Sequence, residues 1–144
     1  MATVVFNKCK YLLAKKIIDF SADVFKIMLM QAGFTPDVDT HAAYADVSAS
    51  ELPSGNGYTA AGLTLSGVAV TQDDTDDRTE VTWANAQWTA NGGAIGPSPG
   101  AIIYDDTVAA PVNKPLIGYI DFGGNQSQAD GGVATIASLE VRIT

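Results

Sequence analysis

The chain has 144 residues, a length for one domain that buries roughly two-thirds of its unfolded surface. Only 17% of the residues are charged, against about 25% in ordinary soluble domains, and the formal net charge is −8. The acidic balance argues against nucleic acid as a partner, no stretch reaches the ~18 apolar residues of a membrane span, and a single cysteine, Cys9, excludes an internal disulfide framework.

The charge is unevenly placed. Residues 1–26 hold five lysines against two aspartates, a local +3, which leaves −11 on residues 27–144. The apolar run Val4-Val5-Phe6 is too short for a secretory signal core, so the expectation is a soluble chain made in the cytoplasm. Few charges and many Gly, Ala and Thr residues give a surface suited to close packing against other protein.

In chain order, Thr3–Phe6 reads as a short strand and Lys8–Asp19 as a helix. In the latter, Leu12, Leu13, Lys16 and Ile17 recur at helical spacing, with Lys8 and Lys15 largely on the other face. Val24–Met30 follows as a strand: Phe25, Ile27 and Leu29 share one face, and Val24, Lys26, Met28 and Met30 share the other. Thr35–Gly62 reads as mostly loop, anchored by Tyr44 and Tyr58. Leu63–Leu65 and Val68–Val70 read as one strand with a β-bulge at Gly67. An acidic turn, Asp73–Asp77, leads into a strand over Thr79–Trp83, and the Gly- and Pro-rich Asn91–Gly100 reads as a loop.

Ala101–Tyr104 and Leu116–Ile120 are short, β-branched and aromatic, and each run ends at an aspartate. They read as the paired central strands, with Pro111 and Pro115 keeping the connector out of the ladder. Gly123–Gly132 reads as a turn region, and Val133–Thr144 as one long half-buried strand. The sum is a mainly β chain: an antiparallel β-sandwich, of which the jelly roll is one form, with one short N-terminal helix. Residues 1–20 read as a strand–helix segment able to clasp a partner, and residues 21–144 as a single sandwich domain.

No motif supplies catalysis. Gly96-Pro97-Ser98-Pro99-Gly100 has the spacing of a nucleophile elbow, but Pro99 lacks the N–H that its oxyanion hole requires, and no helix follows. The lone His41 precedes the serine, in the wrong order for that fold. Cys9 and His41 read as a buried small side chain and a loop residue. Zinc ligands at fixed spacing are absent from the sequence. Calcium at Asp73, Asp74, Asp76 and Asp77, or at Asp37 and Asp39, is weighed against plain turn chemistry; the first cluster lacks the EF-hand glycine and distal glutamate. Gly55-Asn56-Gly57-Tyr58 with Gly62 meets neither phosphate-loop pattern. Asn125-Gln126-Ser127 is a formal glycosylation sequon, without a signal peptide to expose it. Tyr58, Trp83, Trp88 and Tyr104 read as core anchors or, alternatively, as a sugar-binding face. No catalytic residue, metal or cofactor is expected.

Five phrases, taken in order, resemble a family of small virion structural proteins of tailed bacteriophages. They are Asp23-Val-Phe-Lys-Ile-Met-Leu29, Gly57-Tyr-Thr-Ala-Ala-Gly62, Val81-Thr-Trp83, Ala101-Ile-Ile-Tyr-Asp105 and Pro115-Leu-Ile-Gly-Tyr-Ile-Asp-Phe-Gly123. The resemblance implies a virion location. Small β-rich proteins there often resemble capsid decoration, or cement, proteins, which commonly sit as homotrimers over capsomer junctions on the outer capsid surface. The implied partners are the major capsid protein and further copies of this chain, with no nucleic acid and no membrane. A tail, neck or fibre component, receptor- or carbohydrate-binding, is the alternative. The expected interface is Thr3–Lys16, with Lys8, Lys10, Lys15 and Lys16, together with the Lys26, Met28, Met30 face and the loop Asn91–Gly100.

Overall fold

A computed structural model describes residues 2–144 and shows a mainly β chain of antiparallel sheets with two short helices. Its centre is a hairpin of two long strands, β7 (Ile95–Asp105) and β8 (Leu116–Gln128). The apolar runs pair as their composition requires, with Ala101 opposite Ile120, Ile102 opposite Tyr119 and Ile103 opposite Gly118. Gly100 is a packing necessity: a Cβ there would run into the Ile120 carbonyl and the Tyr119 ring.

Both strands outrun their expected ends. β7 takes in Ile95–Gly100 from the expected loop, and β8 takes in Gly123–Gln128 from the expected turn. The ladder shifts register between Ile95 and Ser98 and again between Ser98 and Gly100. Those irregularities let Pro97 and Pro99, which have no N–H to donate, lie within a strand.

Three more strands complete this sheet. β1 (Ala2–Val5) pairs with β8, β2 (Phe25–Leu29) pairs with β7, and β3 (Leu63–Thr64) closes the edge on β2. The order is β1-β8-β7-β2-β3. A second sheet has β5 (Arg78–Thr82) between β4 (Ala69–Asp73) and β10 (Glu140–Ile143). A third pairs β6 (Ala86–Thr89) with β9 (Val133–Ile136).

Two expected single strands are each divided between sheets. Leu63–Val70 is not one bulged strand: Gly67, at φ +68°, turns the chain out of the first sheet and into the second. Likewise Val133–Thr144 breaks at Ser138, φ 55°, so that the buried side switches from Ile136 to Leu139 and Val141.

The five-stranded sheet is covered on both faces. On one, Phe25, Ile27, Leu29, Ala101 and Ile103 meet Val81, Trp83, Trp88, Ile136, Leu139 and Val141 from the smaller sheets, in a sandwich arrangement. On the other, Met28, Met30, Ile102, Tyr104, Leu116 and Tyr119 pack with Phe6 and Val47, flanked by Phe34, Val38 and Tyr44. The expected loop 35–62 thus covers the second face, and it contains a short helix, α2 (Tyr44–Val47), followed by a 3₁₀ turn at Ser48–Ser50.

Helix α1 spans Asn7–Ala14, shorter than the expected Lys8–Asp19. Lys16 adopts φ 60°; its N–H bonds the Leu13 carbonyl, and the Ile17 N–H bonds the Leu12 carbonyl. This is a Schellman termination with lysine where glycine is usual. Left-handed backbone costs an L-residue roughly 1–2 kcal/mol, while glycine's extra chain entropy costs about 0.5–1. Lys16→Gly is therefore expected to stabilise the domain by about 0.5 kcal/mol, read as a higher urea midpoint at unchanged slope.

The segment expected as a clasp is built into the domain. β1 is a sheet strand, and Phe6, Cys9 and Leu12 are fully buried.

Candidate partner interface

Helix α1 buries Cys9 and Leu12, which turns the opposite side outward. Lys8, Tyr11 and Lys15 recur at helical spacing along that outer stripe. Lys10 and Lys16 lie beside it and are exposed, while Lys8 is half-buried. Tyr11 is 54% exposed, and the Lys8 ammonium sits 5.3 Å from its ring centroid. Among the described residues, Lys8, Lys10, Lys15, Lys16 and Lys26 form no ion pair; the chain's ion pairs use Arg78, Lys114 and Arg142. The α1 face is thus a cluster of uncompensated cations around an exposed aromatic ring.

The second expected surface is different. Lys26 is half-buried, but Met28 and Met30 are fully buried in the chain's own second core. The alternation of β2 is real, yet loop 35–62 occupies the side on which a partner was expected, so neither methionine is available as a surface contact. Of the third expected segment, Ile95, Ser98 and Gly100 are buried in β7 and its pairing with β8. Only the turn before Ile95 remains as surface loop.

Further apolar surface lies along sheet edges. Strand β4 is an edge strand, with Val70 48% exposed and Val68 exposed just before it. Strand β1 is the edge of the large sheet, with Val4 41% exposed. Strand β10 lies close against β1, which leaves the β4 edge as the place where another chain can pair.

The residues weighed for chemistry fall into structural positions. The Ser98 hydroxyl is buried and donates to the Gly100 carbonyl at 2.9 Å. His41 stacks on Phe34 at 5.8 Å and accepts the Asp37 N–H through Nδ1. Cys9 is buried, and loss of solvent, followed by the nearby Asp105 charge, pushes its thiol up to about 12. A thiol so placed is a poor nucleophile. At the acidic turn, Arg78 bridges Asp73 at 3.3 Å and Asp76 at 3.2 Å, together with Glu80 of β5 at 2.7 Å, and the Gln72 amide donates to Asp74 at 2.6 Å. Among the described residues, no three His, Cys, Asp or Glu side chains converge as metal ligands.

The four aromatic residues weighed as a sugar-binding face are buried. Trp83 packs edge-on against Phe20 and Phe25, Trp88 against Tyr58, and Tyr104 against Tyr44. They anchor the two cores.

Nothing local in the sequence marks two buried carboxyl groups. Glu51 collects the Tyr44 and Tyr58 hydroxyls and the Ala61 N–H. Asp105, at the end of β7, is fully buried. No known protein family matches the chain, and no curated protein or solved structure matches it significantly.

Proposed function

We propose that this chain is a non-enzymatic structural protein of a tailed-bacteriophage virion, a capsid decoration protein that binds over capsomer junctions and stabilises the head. The observation that carries the reading is the unpaired lysine–tyrosine face of α1 on a chain that is otherwise strongly acidic. Such a face matches an acidic protein surface, supplied by the major capsid protein or by another copy of this chain in a homotrimer. The setting is taken from the ordered phrases that resemble those of small phage virion proteins. The open, valine-bearing edge at β4 suits continuous packing between subunits. Each junction clamped in this way adds buried interface that resists the pressure of packaged DNA.

Reversing charge at Lys8→Glu, Lys10→Glu and Lys15→Glu together is expected to release the protein from heads at physiological salt. Its own melting temperature should stay within a few degrees, because surface charges contribute little to stability. Heads lacking the protein should open at lower temperature than complete ones. Quantitative mass spectrometry of purified particles should find a set of copies for every capsomer junction. A handful of copies confined to the tail would overturn the capsid assignment.

A further inference from the structure

We infer that the cleft between the free arms of the β7–β8 hairpin and the β6–β9 sheet is a binding site for one neutral sugar residue. The cleft has a volume of about 310 Å³, at the lower end of the roughly 300–1,000 Å³ range of small-ligand sites. That size suits a single ring with an open side through which a longer glycan could continue. The cleft shares no residue with the lysine face of α1, so this activity is separate from subunit contact through that helix.

The lining fits a molecule with an apolar face and an uncharged polar periphery. Its apolar part is formed by Leu29, Trp88, Ile95 and Ile136, all buried, and by the half-buried Phe122. Around these lie Gln126, Gln128 and Thr135. Each glutamine amide both donates and accepts hydrogen bonds, which matches the vicinal hydroxyls of a sugar. The C–H face of a pyranose is apolar and can cover the aromatic and aliphatic edges that these buried residues present to the cleft.

Other ligand classes fit worse. No charged side chain lines the cleft, so an anion or cation would be desolvated without a counter-charge. A wholly apolar ligand would strip water from the glutamine amides and return no hydrogen bond.

Part of the periphery is held in place before any ligand arrives. The Gln128 amide lies over Gly132, on ground that a Cβ at that position would occupy. The Gln87 side chain donates to the Thr135 hydroxyl at 3.3 Å. Ser98 also lines the cleft, but its hydroxyl proton is committed to the Gly100 carbonyl. The glutamines are therefore the groups expected to read the ligand.

The chain has two tryptophans, so Trp83→Phe leaves Trp88 as the only indole reporter. The test titrates that variant with D-glucose, D-galactose and N-acetyl-D-glucosamine, with D-glucuronate and n-hexanol as the charged and apolar comparisons. At least one neutral sugar should shift Trp88 emission at millimolar concentration. The same sugar should move the amide resonances of Gly96 and Gln126–Gln128 in the unaltered chain, so the result does not depend on the variant folding. Gln126→Ala, on an exposed strand position, should weaken binding about tenfold with an unchanged circular dichroism spectrum. The inference is overturned if none of the three sugars perturbs these signals. It is equally overturned if n-hexanol or glucuronate binds more tightly than all of them, or if Gln126→Ala leaves sugar affinity unchanged.

Discussion

Glu51→Leu is expected to destabilise the domain by about 4 kcal/mol, far beyond the range of an ordinary surface substitution. Glu51 is only 6% exposed, and its carboxylate is the meeting point of three segments. Oε1 accepts the Tyr58 hydroxyl at 2.7 Å and the Ala61 N–H at 2.7 Å, while Oε2 accepts the Tyr44 hydroxyl at 3.0 Å. The Tyr58 oxygen in turn accepts the Leu29 N–H at 3.0 Å, which carries the network into β2. Burial first and the neighbouring carboxylate second push Tyr44 up to about 12, and Tyr58 rises for the same two reasons. Both phenols therefore remain donors throughout the physiological range. Leucine fills the volume but accepts nothing, so three donors lose their partner at about 1–3 kcal/mol each before relaxation and water entry. Glu51→Gln keeps one carbonyl acceptor and should cost less, about 1–2 kcal/mol. Urea unfolding of both variants gives the comparison. Equal stability losses would show that these donors find other partners and that the carboxylate does not organise them.

The covering of the second sheet face depends on this network. Loop 35–62 contributes Val38, Tyr44 and Val47 beside Met28 and Met30, and the Glu51 backbone bridges to Met30. The sequence placed Phe25, Ile27 and Leu29 on one side of β2 and the methionines on the other, and both assignments agree with the strand. Period-two alternation says which residues share a side, and it is silent on what covers that side. A lysine among the methionines suggested an open surface. Lys26 is instead near the strand's start, half-buried, while deeper positions are sealed by a segment too irregular to read as a covering layer.

Other differences have a similar physical origin. Local alternation cannot distinguish a bulge from a change of sheet: at Ser138 either would move the buried parity by one residue, and at Gly67 the alternation continues into valines that are exposed. That accounts for Gly67 and Ser138. Prolines and glycines marked residues 95–100 and 123–128 as loop, since such residues weaken a regular ladder. Register shifts accommodate them within β7 and β8. The central pairing was legible, because β-branched runs bounded by turn residues have few alternatives. The lysines of α1 were legible too: a helix that buries Cys9 and Leu12 must turn its charged residues outward. Glu51 and Asp105 were not, because acidic residues are ordinarily exposed and nothing local marks the rare buried one.

Asp105 makes the stability of the domain depend on pH in a direction opposite to that of a salt-bridged carboxylate. Its side chain is fully buried opposite Phe25, where β7 pairs with β2. Oδ1 accepts the Thr107 N–H at 2.8 Å and the Val108 N–H at 3.2 Å, but Oδ2 has no hydrogen-bond partner among the described residues. The Asp23 carboxyl and the Cys9 thiol are its titratable neighbours. Burial, followed by the Asp23 carboxyl, raises the Asp105 pKa to about 7 from its ordinary 3.8, against the pull of the two backbone N–H groups. The folded chain then holds a proton that the unfolded chain has released. The stabilisation is complete below about pH 4, declines as pH rises through 7, and is absent above. Asp37, Asp46 and Asp73 act in the opposite sense. The Thr40 side chain at Asp37, the Ala43 N–H at Asp46 and the Asp76 N–H at Asp73 are the main groups holding those carboxyls below 3.8. Their contribution is present above 3.8 and lost as pH falls through the lowered values. The domain should accordingly be most stable in mildly acidic solution. Asp105→Asn keeps an acceptor for Thr107 and Val108, gives Asp23 an amide donor and removes the titration. It should flatten the decline between pH 4 and 7 and raise stability at pH 8 by about 2–4 kcal/mol relative to the unaltered chain. Urea midpoints measured for both proteins across pH 4 to 8 decide the matter: parallel curves would mean that Asp105 ionises as freely in the folded chain as in the unfolded one.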